Sequence, residues 1–383
     1  MQLGDRAGIA TAMANTLCQK CVLFALLFSP TALCQGQNEV LGRSLHFSKV
    51  GSNNELNETA KRHLTSSVTT VMIPVTYSII LIIGLPANAL ALLILATKVQ
   101  RLSSTIFLIN LATADLLLIL VLPFKISYHL LGNDWLFGEG LCRTMTAFFY
   151  GNMYCSILLL TFISIDRYFA LVHPFLSKRF RDNRFAVCSC SVIWVLVVIS
   201  MLPFLLQRQS YPIQELSITT CHDVLPTELD DDYFFYYFVC LVVFGFLIPC
   251  FVTIFCYVAI IRALMVSEQQ FGKAIRTMML VLIVYLVCFT PSNIILLIHH
   301  SEYHLTDSSN LYLFYMIFLV LSTFNNCIDP FIYYYISDEF RDKVRIVIHC
   351  KAEKDVDSEK RAEQFALTSS SSGYVSKTLT QNI

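Results

Sequence analysis

Two aspartates, Asp115 and Asp329, lie inside long apolar stretches of this sequence, and the triplet Asp166-Arg167-Tyr168 closes another such stretch. Charge in apolar surroundings is costly, so an ionisable residue at this depth indicates a function. Two carboxylates in a dry interior repel each other unless they share a cation or a proton. These residues therefore predict either a bound cation or one protonated, hydrogen-bonded aspartate.

The sequence has seven apolar stretches that are each long enough to cross a bilayer, and three of them contain these residues. A spanning helix needs about 20 mainly apolar residues, and continuous apolarity favours helices over the alternating strands of a barrel. The mean hydropathy of +0.62 and a charged fraction of 14% exclude an ordinary soluble protein. We predict an all-α membrane protein, a seven-transmembrane-helix bundle over 71–337. The predicted spans are Val71–Ala96, Thr105–Leu130, Leu141–Val172, Ala186–Leu206, Tyr233–Leu264, Thr277–His299 and Leu311–Ile336.

Basic residues are concentrated on one side of the predicted spans. They follow the first, third, fifth and seventh spans, whereas the opposite connections contain only Arg208. By the positive-inside rule, we predict a multi-pass plasma-membrane protein with an extracellular amino terminus and a cytoplasmic carboxyl terminus. The cytoplasmic basic residues are Lys98, Arg101, Lys178, Arg179, Arg181, Arg184, Arg262, Lys273, Arg276, Arg341, Lys343, Arg345 and Lys351.

The amino-terminal region carries a targeting signal. Two basic residues precede the short apolar run Cys21–Phe28 and small residues follow it, which predicts a secretory signal peptide over 1–34. A short disordered leader is the alternative. The polar segment 35–70 lacks core-forming residues, so we predict an extracellular disordered tail, with a glycosylation sequon at Asn57.

Three of the 14 cysteines have predicted roles outside the apolar interior. Cys142 and Cys221 both face the exterior, where an oxidising compartment favours a disulfide between them. Cys350 follows the last span beside basic residues and is a candidate for palmitoylation, with a free thiol as the alternative. The other cysteines lie mostly in the predicted leader or within the spans, where they act as small apolar residues.

The spans also share a set of landmark residues. These are Asn88, Asp115, Asp166-Arg167-Tyr168, Trp194, Pro249, Tyr257, Phe289, Pro291, Asp329, Pro330 and Tyr333. Their combination resembles the rhodopsin-like G-protein-coupled receptors over about 71–350. Phe289 stands where most members have tryptophan, and Asp329 where most have asparagine. Both departures are typical of the branch that includes protease-activated and nucleotide receptors.

The resemblance implies an activation switch near the cytoplasmic end of the bundle. Asp166 would pair with Arg167 at rest, and Arg167 would turn to the G protein on activation while Tyr257 and Tyr333 support it. The switch residues are Asp166, Arg167, Tyr168, Tyr257, Phe289, Pro291, Asp329, Pro330 and Tyr333. The resemblance also implies an allosteric sodium ion, held by Asp115, Asn152, Ser156, Asn325 and Asp329.

Four short motifs narrow the resemblance to protease-activated receptors. They are Cys221-His222-Asp223-Val224-Leu225, Phe149-Tyr150-Gly151-Asn152-Met153-Tyr154, Phe289-Thr290-Pro291-Ser292-Asn293 and Phe340-Arg341-Asp342. The exterior tail has an arginine, Arg43, before Ser44, which suits a trypsin-like serine protease; Lys61-Arg62 is a second basic site. Cleavage after Arg43 would expose the tethered ligand Ser44-Leu45-His46-Phe47-Ser48-Lys49.

The tethered ligand would bind the outer mouth of the bundle. Tethering gives an effective concentration of roughly mM, so a weak peptide site suffices. The Ser44 ammonium group would face the acidic second exterior loop, whose run Asp230–Asp232 has a solvated loop as its alternative. The ligand-binding residues are predicted to be His222, Asp223, Leu225, Tyr150, His300, Tyr312 and Tyr315. For the aromatic residues among them, an interfacial belt is the alternative.

The resemblance and the residues around Arg43 also predict the partners of the protein. A trypsin-like protease is favoured over thrombin, because no acidic-aromatic stretch follows Arg43 and glycine precedes it. By the same resemblance, a heterotrimeric G protein of the calcium-mobilising kind would meet Pro174 and Phe175.

 Residues 338–350 are predicted to form a short amphipathic helix on membrane lipid. The Ser/Thr-rich tail 351–383 would recruit arrestin once phosphorylated, with a plain disordered tail as the alternative.

The sequence is also compatible with other functions. A receptor of the same fold for a diffusible ligand, such as a nucleotide, would need a cation facing the cavity, and Lys125 is the one candidate. A non-signalling protease cofactor is a second alternative, against which the intact Asp166-Arg167-Tyr168 argues. Neither the repeats of a transporter nor an enzyme's catalytic constellation is visible, and nothing in the sequence predicts a nucleic-acid partner.

Overall fold

The computed structural model describes residues 45–50, 53–56, 58–173, 182–226, 231–266, 272–301, 309–336 and 339–346. Within this part of the chain, seven helical segments are long and apolar enough to cross a membrane, which confirms the predicted fold class. The helices are α1 (Glu58–Leu64), α2 (Ile73–Thr97), α3 (Ser103–Leu130), α4 (Gly138–Leu171), α5 (Asn183–Leu206), α6 (Asp231–Val242), α7 (Ile248–Val266), α8 (Gly272–Ser301) and α9 (Ser309–Ile336). Helices α6 and α7 together form the fifth span, and residues 339–346 are helical as well.

Helix α4 lies at the centre of the bundle. It packs against α3, α5 and α7, and it is the most extensively buried of the seven spans. Polar contacts tie the neighbouring helices together: Trp194 Nε1 donates to Asn110 Oδ1 at 2.9 Å, which joins α5 to α3. The Thr161 and Thr253 hydroxyls lie 3.0 Å apart and join α4 to α7. Such bonds suit a bundle in lipid, where helix association depends on packing and interhelical hydrogen bonds.

The fifth span approaches α4 very closely at one glycine. A π-helical turn, Val243–Leu247, separates α6 from α7, and a Cβ atom at Gly245 would lie 2.7 Å from Cδ1 of Tyr154. A side chain at this position would therefore displace the Tyr154 ring. Tyr154 in turn donates its hydroxyl hydrogen bond to Asn293 Oδ1 at 3.2 Å, so this contact joins α4, the fifth span and α8.

Within the described residues, five short strands cover one end of the bundle, here called the outer end. They are β1 (Leu45–Val50), β2 (Asn53–Leu56), β3 (Ser210–Ile213), β4 (Ile218–Cys221) and β5 (Val224–Pro226). Strands β3 and β4 form an antiparallel hairpin within the loop between α5 and α6. Strand β1 pairs with β2 on one edge and, in parallel, with β5 on the other. The segment before the first span therefore forms one sheet with the loop.

The expectation of disorder across 35–70 is not met in its described part. Beyond the two strands, α1 buries Ala60 and Leu64, and β2 buries Leu56. These three apolar residues are spaced four apart, so the chain can place them on one side against the bundle. The segment contains too few apolar residues to form a core of its own, but it completes a surface supplied by the loop and the helices.

Candidate functional site

A disulfide between Cys142 and Cys221 anchors the outer loop to the bundle, as predicted. Cys142 lies in the second turn of α4, and Cys221 ends β4. Both cysteines are fully buried. The bond therefore fixes the end of the β3–β4 hairpin over α4, and the next two residues of the loop, His222 and Asp223, enter the bundle from this fixed point.

The base of the hairpin is held by Glu139, a residue that the sequence analysis did not single out. Its Oε1 accepts hydrogen bonds from Arg143 Nε at 2.5 Å and from the Gln209 amide at 2.8 Å. Its Oε2 accepts from the Ser210 amide and hydroxyl at 2.8 and 2.5 Å. One carboxylate thus binds four donors and sets where β3 begins. The signal in the sequence was an acidic residue four positions before an arginine at a helix start.

A chain of hydrogen bonds joins this loop to two spans. Tyr315 of α9 donates to the Tyr150 hydroxyl of α4 at 2.9 Å, and the Tyr150 hydroxyl lies 2.8 Å from His222 Nε2. His222 Nδ1 lies 2.7 Å from Gln209 Oε1. If each hydroxyl donates onward, His222 carries its proton on Nδ1 and donates it to Gln209. We call Tyr315, Tyr150, His222 and Gln209 the loop relay.

His222 occupies a constrained backbone position within the loop relay. Its φ is +65°, a left-handed conformation uncommon for residues other than glycine. The disulfide on one side and the Gln209 carbonyl, which accepts from the His222 amide at 2.8 Å, hold it there. Such a conformation persists only where the surroundings determine it. It turns the chain so that the next residue, Asp223, enters the interior.

Asp223 is a buried carboxylate with a buried cationic partner. It is 3% exposed and lies with Oδ2 3.8 Å from Nζ of Lys125, which is 6% exposed. Burial by itself raises the pKa of Asp223, but the Lys125 ammonium, with further contributions from His129, Tyr128 and His222, holds this pKa below its ordinary value. Asp223 is therefore an anion in the interior of the outer end.

The remaining predicted ligand-binding residues fall into two groups. Tyr150, Tyr312 and Tyr315 are buried at the outer end, and Tyr312 lies beside Asp223. They are therefore interior residues of this site and do not form an interfacial belt. For Leu225 and His300 the structure describes the backbone, in β5 and α8, but not the side chains.

The predicted ligand segment pairs with the loop through its backbone. Leu45, His46 and Phe47 of β1 lie opposite Val224, Leu225 and Pro226 of β5 in parallel register. Strand β1 continues through Ser48 and Lys49, which pair with Glu55 and Asn54 of β2. Arg43 and Ser44 lie outside the described residues, as do Asn57, Cys350 and both the 1–34 and 351–383 segments.

Helix α1 fixes this amino-terminal segment to the outer end. Lys61 Nζ lies 2.8 Å from Glu58 Oε1 and 2.9 Å from Glu215 Oε2 of the loop. The Leu64 carbonyl accepts a hydrogen bond at 2.6 Å from Asn133 Nδ2, beyond the end of α3. Leu64 itself is fully buried. The chain before the first span is thus docked on both the loop and the bundle.

A second polar cluster lies deep in the bundle, at the residues predicted to hold sodium. Asn325 Nδ2 donates to Asp329 Oδ2 at 2.7 Å. Among the described residues, no hydrogen bond reaches either carboxylate oxygen of Asp115, Oδ1 of Asp329, the Ser156 hydroxyl or Oδ1 of Asn325. These buried oxygen atoms are the ligand type that a hard cation prefers. The donor set therefore fits a sodium ion.

The predicted switch residues lie within α4, α7, α8 and α9. Asp166 Oδ1 accepts a hydrogen bond from the Ser103 hydroxyl at 2.6 Å, a partner that the sequence analysis missed. Tyr257 and Tyr333 are buried, and Tyr257 is close enough to Arg167 for electrostatic interaction. Tyr168 lies 3.0 Å from His173. Phe289 contacts Tyr285, and Pro291 and Pro330 lie inside α8 and α9.

Comparison with known proteins gives consistent relatives. The family model described as 7 transmembrane receptor (rhodopsin family) matches residues 87–333. Proteinase-activated receptor 3 of Homo sapiens is 46% identical over 276 residues, which are 72% of this chain and 74% of that protein. Proteinase-activated receptor 4 of Homo sapiens is 44% identical over 76% of both chains. Proteinase-activated receptor 2 of Homo sapiens is 38% identical over 90% of this chain and 88% of that protein.

Proposed function

Because this chain belongs to the proteinase-activated receptors of the rhodopsin family, we propose that cleavage after Arg43 activates it. The new amino terminus, Ser44-Leu45-His46-Phe47-Ser48-Lys49, is the tethered agonist in this proposal. As a family member the chain is a multi-pass plasma-membrane receptor and not an enzyme. Membership also implies a protease activator and coupling to a G protein in general.

One observation carries the proposal: the register between β1 and β5. Leu45 pairs with Val224 in parallel, and Ser44 and Asp223 are the residues directly before them in the sequence. In this proposal the pairing extends by one residue after cleavage, so that Ser44 would lie opposite Asp223. Cleavage after Arg43 creates an ammonium group at Ser44, and Asp223 is the buried anion that such a group requires.

Tethering explains how a short peptide can activate the receptor. Even if the proposed agonist segment binds weakly, its attachment to the receptor gives it an effective concentration of roughly mM. Docked α1 and β2 favour the bound arrangement further, because they leave only a short length of chain free to move. The loop relay then offers a route from the bound segment to α4 and α9, since it ends on Tyr315.

The deep polar cluster adds an allosteric element to the proposal. A sodium ion bound by Asp115, Asn152, Ser156, Asn325 and Asp329 would neutralise the two carboxylates and stabilise the resting bundle. The oxygen atoms of these residues that lack a hydrogen bond within the described chain support this assignment. Movement of α9 relative to α3 would separate Asp329 from Asp115 and weaken the site.

The remaining parts of the proposal rest on the sequence. We assign a trypsin-like protease as activator in preference to thrombin, a calcium-mobilising G protein at the cytoplasmic end and arrestin at the phosphorylated tail 351–383. The amino terminus is extracellular, with glycosylation at Asn57. Lipid contacts are made by the helix within 338–350 and by palmitate on Cys350.

The pairing of Lys125 argues against a nucleotide receptor. A nucleotide pocket would need this cation for phosphate, but Lys125 faces Asp223 at 3.8 Å inside the bundle. A carboxylate beside this cation would repel phosphate oxygens. No comparable observation favours a diffusible ligand or a non-signalling cofactor.

The test compares two arginines in calcium imaging of cells that express the full chain. We expect Arg43→Ala to abolish the response to low trypsin and to retain the response to the free peptide Ser-Leu-His-Phe-Ser-Lys. Arg62→Ala, at the second basic site, is the matched control and should respond as wild type to both. A full trypsin response from Arg43→Ala at equal surface expression would overturn the assigned site.

A further inference from the structure

We propose that Lys125 is an internal stand-in for the ligand ammonium group: it neutralises Asp223 before cleavage and yields that position to the Ser44 amine afterwards. This inference rests on the proposed function and adds a residue that sets its specificity. In this proposal the Lys125 and Ser44 ammonium groups compete for the Asp223 carboxylate, which is why the peptide terminus must be cationic.

The first argument is that Asp223 needs a cation in the uncleaved chain. Asp223 is 3% exposed, and a buried charge without a partner is strongly destabilising. Lys125 Nζ, 3.8 Å from Oδ2, supplies the partner. The other groups near the carboxylate include three phenols and two imidazoles, those of Tyr77, Tyr128, Tyr312, His129 and His222. Among these neighbours, Lys125 is the one with an ammonium group.

The second argument is that the ion pair between Lys125 and Asp223 lacks a direct hydrogen bond. A charge-assisted N–H···O bond normally spans about 2.7–2.9 Å, so the separation of 3.8 Å is attractive without a direct hydrogen bond. An incoming amine that approaches closely enough to donate hydrogen bonds would therefore bind Asp223 more strongly than Lys125 does. The loose pair holds the carboxylate ionised, and Oδ2 has no hydrogen-bond partner among the described residues, so it can still accept a bond from a better donor.

The third argument is that the Lys125 ammonium group has a second favourable contact. Its Nζ lies 4.9 Å from the centroid of the Tyr128 ring, within the range of a cation–π interaction. The lysine stem is long and flexible, so the ammonium group can move from the carboxylate towards the ring face. On displacement from Asp223, the lysine charge would keep the favourable contact with the Tyr128 ring that it already makes.

The experiment compares the free-amine peptide Ser-Leu-His-Phe-Ser-Lys with its N-acetylated form on full-length receptors in cells, at measured surface expression. In wild type we expect the acetylated form to be at least about tenfold weaker, because it lacks one charge-assisted interaction. In Lys125→Met the competitor is gone, so the free amine should gain about tenfold in potency while the acetylated peptide gains little. The ratio of the two potencies therefore rises.

Two further variants make the result decisive. Asp223→Asn combined with Lys125→Met should remove the gain, since no anion remains for the amine. Lys125→Arg, which offers more donors to Asp223, should weaken the free amine several-fold and leave the acetylated peptide unchanged. If Lys125→Met does not reach the surface, Lys125→Arg decides the question alone. Lys98→Met, at the opposite end of the bundle, is the matched control.

The outcomes separate the two proposals. A potency ratio unchanged in both Lys125 variants would overturn the competition, even if wild type responds normally to the peptide. An equal loss for both peptides would assign Lys125 a purely structural role and would overturn it as well. A wild-type receptor that responds to neither peptide, or equally to both, would instead contradict the proposed contact between the Ser44 amine and Asp223.

Discussion

The Tyr150 hydroxyl lies 2.8 Å from His222 Nε2, so a side chain of the central helix α4 is bonded directly to the loop that pairs with β1. The same hydroxyl accepts from Tyr315 of α9. A change in the position of the loop is therefore transmitted to two spans through one buried oxygen atom. Buried hydrogen-bond networks of this kind are sensitive to the loss of any member.

Tyr150→Phe should reduce the potency of the free hexapeptide by about two- to tenfold, because one buried hydrogen bond contributes roughly 0.5–1.5 kcal/mol. The ring remains and keeps its stacking on Phe204. Peptide concentration–response curves measure the effect. Tyr237→Phe removes a different buried hydroxyl, which donates to the Ser200 carbonyl at 2.6 Å, and should leave the potency closer to wild type. Equal effects of the two substitutions would argue against the loop relay.

Asp223→Asn should weaken both trypsin activation and the free peptide by about ten- to a hundredfold, since a charge-assisted bond contributes roughly 1.5–3 kcal/mol. Glu215→Gln changes an acidic residue of the same loop that pairs with Lys61 nearer the surface. Its effect should be several-fold at most, because such pairs contribute about 0–1 kcal/mol. Unchanged potency of Asp223→Asn at normal surface expression would remove Asp223 from the binding site.

Sodium should lower agonist affinity in isolated membranes, because an ion that binds the resting bundle better shifts the population towards that state. Asp115→Asn should flatten this dependence. Asp182→Asn, an exposed helix cap at the start of α5, is the control and should retain it. Radioligand displacement in sodium, potassium or choline salts gives the measurement. Identical wild-type affinity in all three salts would leave no role for a sodium site.

Leu64→Ala should loosen α1 and make the Lys61-Arg62 bonds sensitive to trypsin. Leu64 is fully buried, and such truncations typically cost about 2–5 kcal/mol. In the proposed mechanism, cleavage there would separate the tethered agonist from the receptor, so the trypsin response should fall while the free-peptide response persists. Mass spectrometry of the new amino termini identifies the cut. Leu136→Ala, at a residue that is 66% exposed, is the control; cleavage at Lys61-Arg62 that is equally fast in wild type would show that α1 gives no protection.

The spans were predictable because continuous apolarity identifies a spanning helix without any knowledge of its neighbours. The disulfide was predictable because Cys142 and Cys221 are the two cysteines that the sequence predicts to face the exterior. Helix ends were less well determined: α4 begins at Gly138, three residues before the predicted Leu141. Polar residues such as Glu139 can occupy the first turn of a span, where hydropathy alone does not count them as part of the helix.

The contacts of the outer end were not predictable in the same way. The sequence predicts a phosphate ligand at Lys125 and a partner for the peptide at Asp223, and nothing in the local sequence indicates that the two residues meet. Their pairing depends on how α3 packs and on where the disulfide sets the loop. The order in 45–70 was missed for a similar reason, since β1 acquires its partner β5 from a distant part of the chain. The four-residue spacing of Leu56, Ala60 and Leu64 was the available signal.

The parallel pairing of β1 with β5 has a pharmacological consequence. Main-chain hydrogen bonds are formed by peptides of any sequence, and adding a strand to a sheet edge supplies affinity that is largely independent of side chains. Extended peptides unrelated to β1 could therefore compete with it for β5. In the proposed mechanism, efficacy would depend on the group presented to Asp223, so affinity and efficacy would be carried by different parts of the same short segment. An extended peptide that pairs with β5 but has a blocked, uncharged amino terminus is accordingly the design we expect to act as an antagonist.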